Sequence, residues 1–544
     1  MAPFHRNDAS WPCFQTESAC YCSTCNPTTQ GEAGFVKASD RKRIVYSRQQ
    51  LRESPDVEPT VPEAANDPQG QPEAHQGRPK GARTRSTPAG ADATDLQKKQ
   101  RSYAALWATV FLVSLLFPIR IHAGPVLLFP YRLWLLILFV PLFMILVTGR
   151  AGRMILVDWL MLGAAIWGML ALAVNQVGHG PIDLAIEPAG VYMLESFGAY
   201  MLGRVAIRSQ EDFIAFVRKF FLICLVLLPF AMLESVTRTP VMLSLIGERG
   251  AAVDAGIRMG LRRAQTVFEH PILFGAFAST GLGLVWYALF PEAGVFRRAL
   301  VTLVIIATSF FSLSTGAMFA MVMQLVFITW ELVTRPYRYR WRVFAAIVIG
   351  AYVLIDQFTT KSPFHLLVNY ASFSSGSAYN RIRIWDYGMD NVWANPVFGL
   401  GLNSVNWVRP SWMSASVDNF WLNMTLNYGI PCFLMLSLAL ILTVKNVSRF
   451  ELTDARDRAC RAAYLTAFGG LVVAGSTVHY WKATYAFIMF FFGTAIWIFT
   501  GGAKTDTQTP AAPTASRGST TRGPSSNRAP TVRPPRHSVN RKPQ

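Results

Sequence analysis

Residues 374–405, SSGSAYNRIRIWDYGMDNVWANPVFGLGLNSV, gather side chains capable of chemistry inside a chain that is otherwise half apolar. Arg381 and Arg383 stand two positions apart, so they share a face on a strand and diverge by roughly 200° on a helix. A guanidinium fork matches phosphate oxygens bidentately, which makes the pair a candidate diphosphate clamp. Trp385, Tyr387 and Trp393 suit a membrane–water interface, and Trp385 is a candidate substrate contact. Asn395-Pro396 and Gly399-Leu400-Gly401 are turn chemistry. The competing reading of the same residues is an amphipathic helix lying flat on the bilayer, capped at Ser377 and stopped at Asn395-Pro396.

Two further segments carry candidates. In GIRMGLRRAQTVFEHPILFGAF (256–277), Arg258, Arg262 and Arg263 fall about one helical turn apart. His270-Pro271 marks the start of an apolar helix, where proline is tolerated in the first turn. Any one of these arginines can snorkel to anchor a helix. Three together call for an anion, so Arg262, Arg263 and His270 are candidate contacts to an anionic ligand. In VDNFWLNMTLNYGIPCFL (417–434), Asp418 or Ser416 can cap a helix. Alternatively, Asp418 shares a face with Trp421, Leu422 and Thr425, and its carboxylate at the mouth of a cavity acts as general base on a hydroxyl. Asn419 and Trp421 are candidate substrate contacts beside it.

The frame that must hold these residues is a membrane. Of 544 residues, 51% are hydrophobic and only 15% charged, outside the balance of a soluble globular protein. Apolar runs long enough to cross a hydrocarbon core recur twelve times, at about 104–121, 126–147, 154–174, 187–206, 214–233, 270–290, 299–312, 316–334, 343–358, 418–444, 461–478 and 482–500. The small residues Ser312-Leu313-Ser314-Thr315-Gly316 read as a reversal dividing the seventh span from the eighth. Positive charge is retained in the cytoplasm. The short loops at Arg150/Arg153, Arg204–Lys219, Arg297/Arg298, Arg335–Arg342 and Lys445–Arg461 are therefore inside, while the opposite loops and their flanks hold only Arg120, Arg132 and Lys482. Both termini are then cytoplasmic, and the long loops 234–269 and 359–417 face outward, the larger one just before the tenth span.

Residues 1–100 are rich in Pro, Gln, Glu and Ser and cannot bury enough surface to fold; residues 501–544 form a second, basic tail suited to anionic lipid headgroups. The net charge of +19 lacks the aromatic interleaving of a nucleic-acid module, so no nucleic-acid partner is expected. The opening MAPFHRNDASWPCF lacks the apolar core of a signal peptide, which leaves the first span as the insertion signal. Cys13, Cys20, Cys22 and Cys25 have no second pair at zinc-ligand spacing and read as free thiols, and no metal or other cofactor is expected.

The ordered motifs resemble those of the O-antigen ligase and polymerase superfamily. They are Arg381-x-Arg383-x-Trp385, Asn395-Pro396-x-x-Gly399-x-Gly401, Asp418-Asn419-Phe420-Trp421-Leu422 with Tyr428-Gly429, the run from Arg263 through His270-Pro271 to Gly275, and Ser312-Leu313-Ser314-Thr315-Gly316. The likeness spans about residues 104–500. It implies an all-α, GT-C-like membrane fold and an inverting, metal-independent glycosyl transfer at the outer face of the inner membrane. The donor is a polyprenyl-diphosphate-linked oligosaccharide whose diphosphate is held by loop arginines, and the acceptor is a growing polysaccharide. A chain-length-regulating or export complex is a further partner. The sequence departs from the pattern at Thr315, where the family has arginine, at Asp418, where the ligase branch has histidine, and at Cys432, in place of a second glycine. The departures at Asp418 and Cys432 favour repeat-unit polymerisation over ligation. A saccharide transporter is the rival from another class; apart from Glu195 the spans hold few of the ionisable residues a proton relay needs.

Overall fold

A bilayer interior offers backbone N–H and C=O groups no solvent partner, so its apolar runs must satisfy themselves as helices. The computed structural model describes residues 89–123, 126–177, 183–248, 251–254, 256–359, 366, 375–401 and 407–500, all within the unit Ser86–Gln544. The N-terminal cysteines, the C-terminal tail and parts of the loop 359–417 lie outside these residues.

The described chain is an all-α membrane protein. Its helices are α1 (Ala89–Ser114), α2 (Pro130–Val147), α3 (Leu156–Gln176), α4 (183–206), α5 (Gln210–Thr237), α6 (Val241–Ile246), α7 (Pro271–Leu289), α8 (Val295–Phe310), α9 (Thr315–Val333), α10 (Arg340–Phe358), α11 (Ser375–Ala394), α12 (Phe420–Arg449), α13 (Ala455–Ala474) and α14 (Lys482–Thr500). Two short antiparallel ribbons complete it, Ile121–Ala123 with Val126–Leu128 and Ile257–Arg258 with Leu261–Arg262. Every expected span falls on a helix, and α8 and α9 are separate, as the reversal at 312–316 requires. Among the described residues, eight helices rather than twelve are long and apolar enough to cross a membrane by length and composition. The other four, α1, α4, α8 and α13, are shortened or interrupted by charge: α4 contains Glu187, Glu195 and Arg204, and α13 opens on Arg456, Asp457 and Arg458. Helix α1 begins at Ala89, inside the stretch read as tail, where Ala, Leu, Gln and Lys are good helix formers.

Caps fix where the helices start. Ser209 accepts from the Asp212 amide while Asp212 accepts from Arg208 N, a reciprocal pair opening α5. Asp454 caps α13. Small residues let helices approach: a Cβ on Gly203 would lie 2.0 Å from the Phe490 carbonyl, and one on Gly493 2.3 Å from that of Tyr200, so α4 and α14 cross backbone to backbone. Phe216, Phe220, Phe277, Phe487 and Phe491 fill the centre.

A lock at one end of the bundle matters most for the site. Helix α12 is interrupted at Gly429, whose φ of 80° no side chain adopts readily. Into that gap fits the turn after α11: Ile430 N donates to Pro396 O at 2.8 Å and Leu400 N to Leu426 O at 2.7 Å. Helix α3 clasps the same turn through Asn175 Nδ2, which donates to Phe398 O at 2.9 Å, and Trp167, which stacks on Phe398. The motifs Asn395-Pro396-x-x-Gly399-x-Gly401 and Tyr428-Gly429 are thus the two halves of one joint. It sets the position of α11 and of the first two turns of α12.

Candidate functional site

Helix α11 docks one face and exposes the other. Ile384, Gly388 and Val392 pack toward Leu422 and Leu426 of α12 in a small apolar cluster closed by Trp407, Met413 and Val417. Its apolar side is therefore covered by protein, not laid on a bilayer. Arg381, three residues before Ile384, shares this inward face and is buried. Arg383 points elsewhere, donating from Nε to Tyr379 Oη at 3.0 Å with its guanidinium over that ring. The 200° divergence expected of a helix applies, and the two arginines do not form one clamp.

The partners of Arg381 come from other loops. Arg258, Arg262 and Arg263 lie not on a helix but on and just after a hairpin, whose two-residue turn Met259-Gly260 has positive φ at both positions. Strand alternation then separates them. Arg262 turns away to the carbonyls of Arg238 and Val253, where it ties the loop together. Arg258 and Arg263 face the turn between α8 and α9. Arg258 Nη1 donates to Leu313 O at 2.8 Å, Arg263 Nε to Ser312 O at 3.4 Å, and Arg381 Nη2 to Thr315 Oγ1 at 3.2 Å. Leu313 holds φ of 43°, a conformation that costs energy for a branched side chain. Three guanidiniums thus meet on Ser312–Thr315, with Arg381 hydrogen-bonded to Thr315.

Electrostatics mark this cluster as unusual. Burial first, then Arg258, push the Arg263 guanidinium down to about 10, while Asp418 acts to raise it. Arg381 is lowered by burial and by Arg258, again with Asp418 opposing. Cations held where they repel one another are stabilised by an arriving anion. Asp418 is half-buried and accepts from Ser416 Oγ at 3.2 Å. It does not cap α12. Asn419 does, accepting from Leu422 N at 3.0 Å while itself buried, so Asn419 is a structural residue and Asp418 has no capping role. Trp421 donates to Val472 O at 3.1 Å and packs toward α13, away from the arginines. Trp385 lies against the apolar cluster of α11. His270 caps α7, its Nδ1 accepting from Ile272 N at 3.1 Å. Burial, with Arg263 and Arg258 adding to it, pushes its imidazole down to about 4.

Beside the cluster opens a cavity of about 330 Å³ between α2, α4, α12 and the loop before α14. Trp481 separates the two, 5.9 Å from His270 on one side and stacked on His479 at 5.5 Å on the other. In the cavity wall, Arg132 Nε meets Glu195 Oε1 at 2.7 Å and Tyr131 donates to the same oxygen. Asn423 lies 3.2 Å from His479 Nε2. Burial pushes the His479 imidazole to about 4. Glu269, beside His270, is raised by burial, with Lys482 opposing. The cavity therefore offers polar groups to a hydroxylated ligand next to the arginines. Arg132, Lys482 and Glu195 were legible as the few charges on the wrong side or inside a span; His479 and Asn423 carried no comparable signal. Among the described residues, no three His, Cys, Asp or Glu gather as a metal site.

Residues 300–437 match the O-antigen ligase family. The match supports the O-antigen ligase and polymerase superfamily and, with it, a glycosyltransferase-like enzyme acting on a lipid-linked oligosaccharide in a membrane. It covers the Ser312–Thr315 turn, Arg381, the Gly429 joint and Asp418. Arg258, Arg263 and the cavity residues Arg132, Glu195 and His479 lie beyond it. No curated protein matches the chain.

Proposed function

We propose that this O-antigen ligase-type protein polymerises polyprenyl-diphosphate-linked saccharide repeat units at the periplasmic face of the inner membrane, with both termini cytoplasmic. The observation that carries the reading is the convergence of Arg258, Arg263 and Arg381 on one turn with Asp418 within electrostatic reach. The acceptor hydroxyl attacks the anomeric carbon of the donor; the new glycosidic C–O bond forms as the bond to the diphosphate breaks with inversion. The electron pair leaves on the lipid diphosphate, which the guanidiniums stabilise in a partly dry site. The hydroxyl proton passes to the Asp418 carboxylate, which is free of capping duty. The cavity beside Trp481 receives the sugar of the acceptor. The charge on the diphosphate is met by arginine, without a metal ion.

Ligation to a lipid acceptor is the second reading, favoured by the description of the matched family. The deciding experiment reconstitutes the purified protein with lipid-diphosphate-linked repeat units, with and without a core-lipid acceptor. The polymerase reading expects release of lipid diphosphate and a ladder of lengthening glycans without core lipid. Single-step transfer that occurs only with the core lipid would replace it with ligation. Saccharide movement across the vesicle without any bond formation would replace both.

A further inference from the structure

A second, larger cavity opens at the opposite end of the bundle, about 1140 Å³ between α9 and α10 on one side and α12 and α13 on the other. This exceeds the roughly 300–1,000 Å³ of ordinary small-molecule sites. Its mouth is lined by seven arginines against two glutamates. Both acids are already engaged, Glu331 by Arg340 at 3.2 Å and Glu292 by Arg456 at 2.9 Å. Among the described residues, Arg335 and Arg458 have no acidic partner. From the arginines the wall turns apolar along α13, through Leu465 and Phe468 to Val472, with Phe327 opposite. From Arg458 to Val472 is about 21 Å of helix at 1.5 Å per residue, enough to reach from headgroup depth to the middle of a core about 30 Å thick.

We infer that this groove seats an anionic glycerophospholipid, its phosphate on the arginine mouth around Arg335 and Arg458 and its acyl chains along Phe327, Leu465 and Phe468. Charge complementarity selects the headgroup, since basic pockets between membrane helices hold anionic lipid. The apolar depth selects a ligand with long chains over free phosphate. The arginine mouth lies at the end of the bundle opposite the Arg258, Arg263 and Arg381 cluster, and the site stands whether or not the glycosyl-transfer reading holds.

The test uses the full-length protein purified in detergent, with native mass spectrometry after addition of phosphatidylglycerol or phosphatidylcholine. One phosphatidylglycerol per chain is expected to survive, and phosphatidylcholine is not. Arg335→Gln with Arg458→Gln weakens retention about thirtyfold, at roughly one order of magnitude per 1.4 kcal/mol and about 1 kcal/mol per arginine. Arg150→Gln with Arg153→Gln, exposed on the loop after α2, leaves it unchanged. On wild-type protein, phosphatidylglycerol with a photoreactive acyl chain labels α13 between Leu465 and Val473. Equal retention of the two lipids, an equal loss in the control pair, preference for free phosphate or a polyprenyl phosphate, or labelling confined to other helices would each overturn the assignment.

Discussion

Replacing Arg381 separates a working cation from a structural one, because the structure gives opposite signs for activity and stability. Its guanidinium is buried, lowered by that burial and by Arg258, and bonded to Thr315 Oγ1. In the fold without ligand the charge is a burden. Arg381→Gln gives up the hydrogen bond to Thr315 Oγ1, about 1 kcal/mol, and the attraction of Asp418, and is relieved of the burial of a charge and of the repulsion from Arg258, so thermal stability changes little. Donor turnover behaves otherwise. A hydrogen bond to a charged diphosphate contributes about 1.5–3 kcal/mol, so its loss in the transition state slows release of lipid diphosphate roughly 10- to 150-fold. Arg381→Lys keeps the charge and loses the planar fork, so it falls within several-fold of the Gln variant. Arg383→Ala, whose side chain is held by Tyr379, stays within about threefold of wild type by the same physical estimate. The assay is single-turnover release of lipid diphosphate at matched protein level, beside a thermal melt. Wild-type turnover in Arg381→Lys, or an equal loss in Arg383→Ala, refutes the reasoning.

Three other substitutions follow from the same geometry. Asp418→Asn removes the proposed base while Asn419 still caps α12, so the protein inserts normally, accumulates lipid-linked repeat units and makes little polymer; near-normal polymer removes Asp418 from the mechanism. Asn419→Ala has the reverse profile, about 1 kcal/mol of stability lost with the cap and turnover per folded molecule retained, read by melting and by specific activity. The third is His270→Asn, which keeps a capping side chain and removes a titration. Wild-type His270, held near 4 in the fold against an ordinary value of about 6.5, binds its proton more readily unfolded. Stability is then fully present above about 6.5 and falls as pH drops toward 4. His270→Asn flattens part of that slope, leaving the share of His479, and an unchanged slope in melts from pH 7 to 4.5 counts against the assignment.

Helix existence was readable because apolar length is a local property, and all twelve runs became helices. Span status was less so, since Glu195 and Arg204 of α4 are buried inside the bundle while Arg456 and Arg458 open α13 at its exposed end, and both kinds of charge lower a helix's hydropathy. At the site, residue types were informative and their directions were not. Arg381 lies in the arginine cluster, but only packing decides that its neighbour Arg383 faces Tyr379. The spacing of Arg258, Arg262 and Arg263 suggested a helix; Gly260 was the available sign of a hairpin, and strand alternation then replaced Arg262 by Arg258. Asp418 and Asn419 both cap well in isolation, and the choice fell to Asn419 because Phe420 N is already bound by Gly475 and Val478 of the neighbouring loop. The cavity around Trp481 unites α2, α4, α12 and a loop hundreds of residues apart in sequence, a closeness no spacing encodes.

The segment that matches the family supplies only part of the charge. Arg381 and Asp418 come from residues 300–437, while Arg258 and Arg263 arrive from a hairpin outside it. What joins them is the Ser312–Thr315 turn, whose carbonyls at 312 and 313 hold the hairpin and whose Thr315 holds α11. A shift of this turn would disperse three guanidiniums at once. The Gly429 joint has the same standing for α11: a Cβ there would lie 2.0 Å from Val397 O, at a φ already unfavourable for any side chain. Gly429→Ala must therefore push residues 396–400 outward and carry Arg381 with them. The expected result is loss of donor turnover at least as large as in Arg381→Gln, with insertion intact and cysteine accessibility raised at a reporter replacing Phe398. Wild-type turnover in Gly429→Ala would mean that α11 is positioned by its apolar face alone, and the joint would then be a packing feature with no hold on the chemistry.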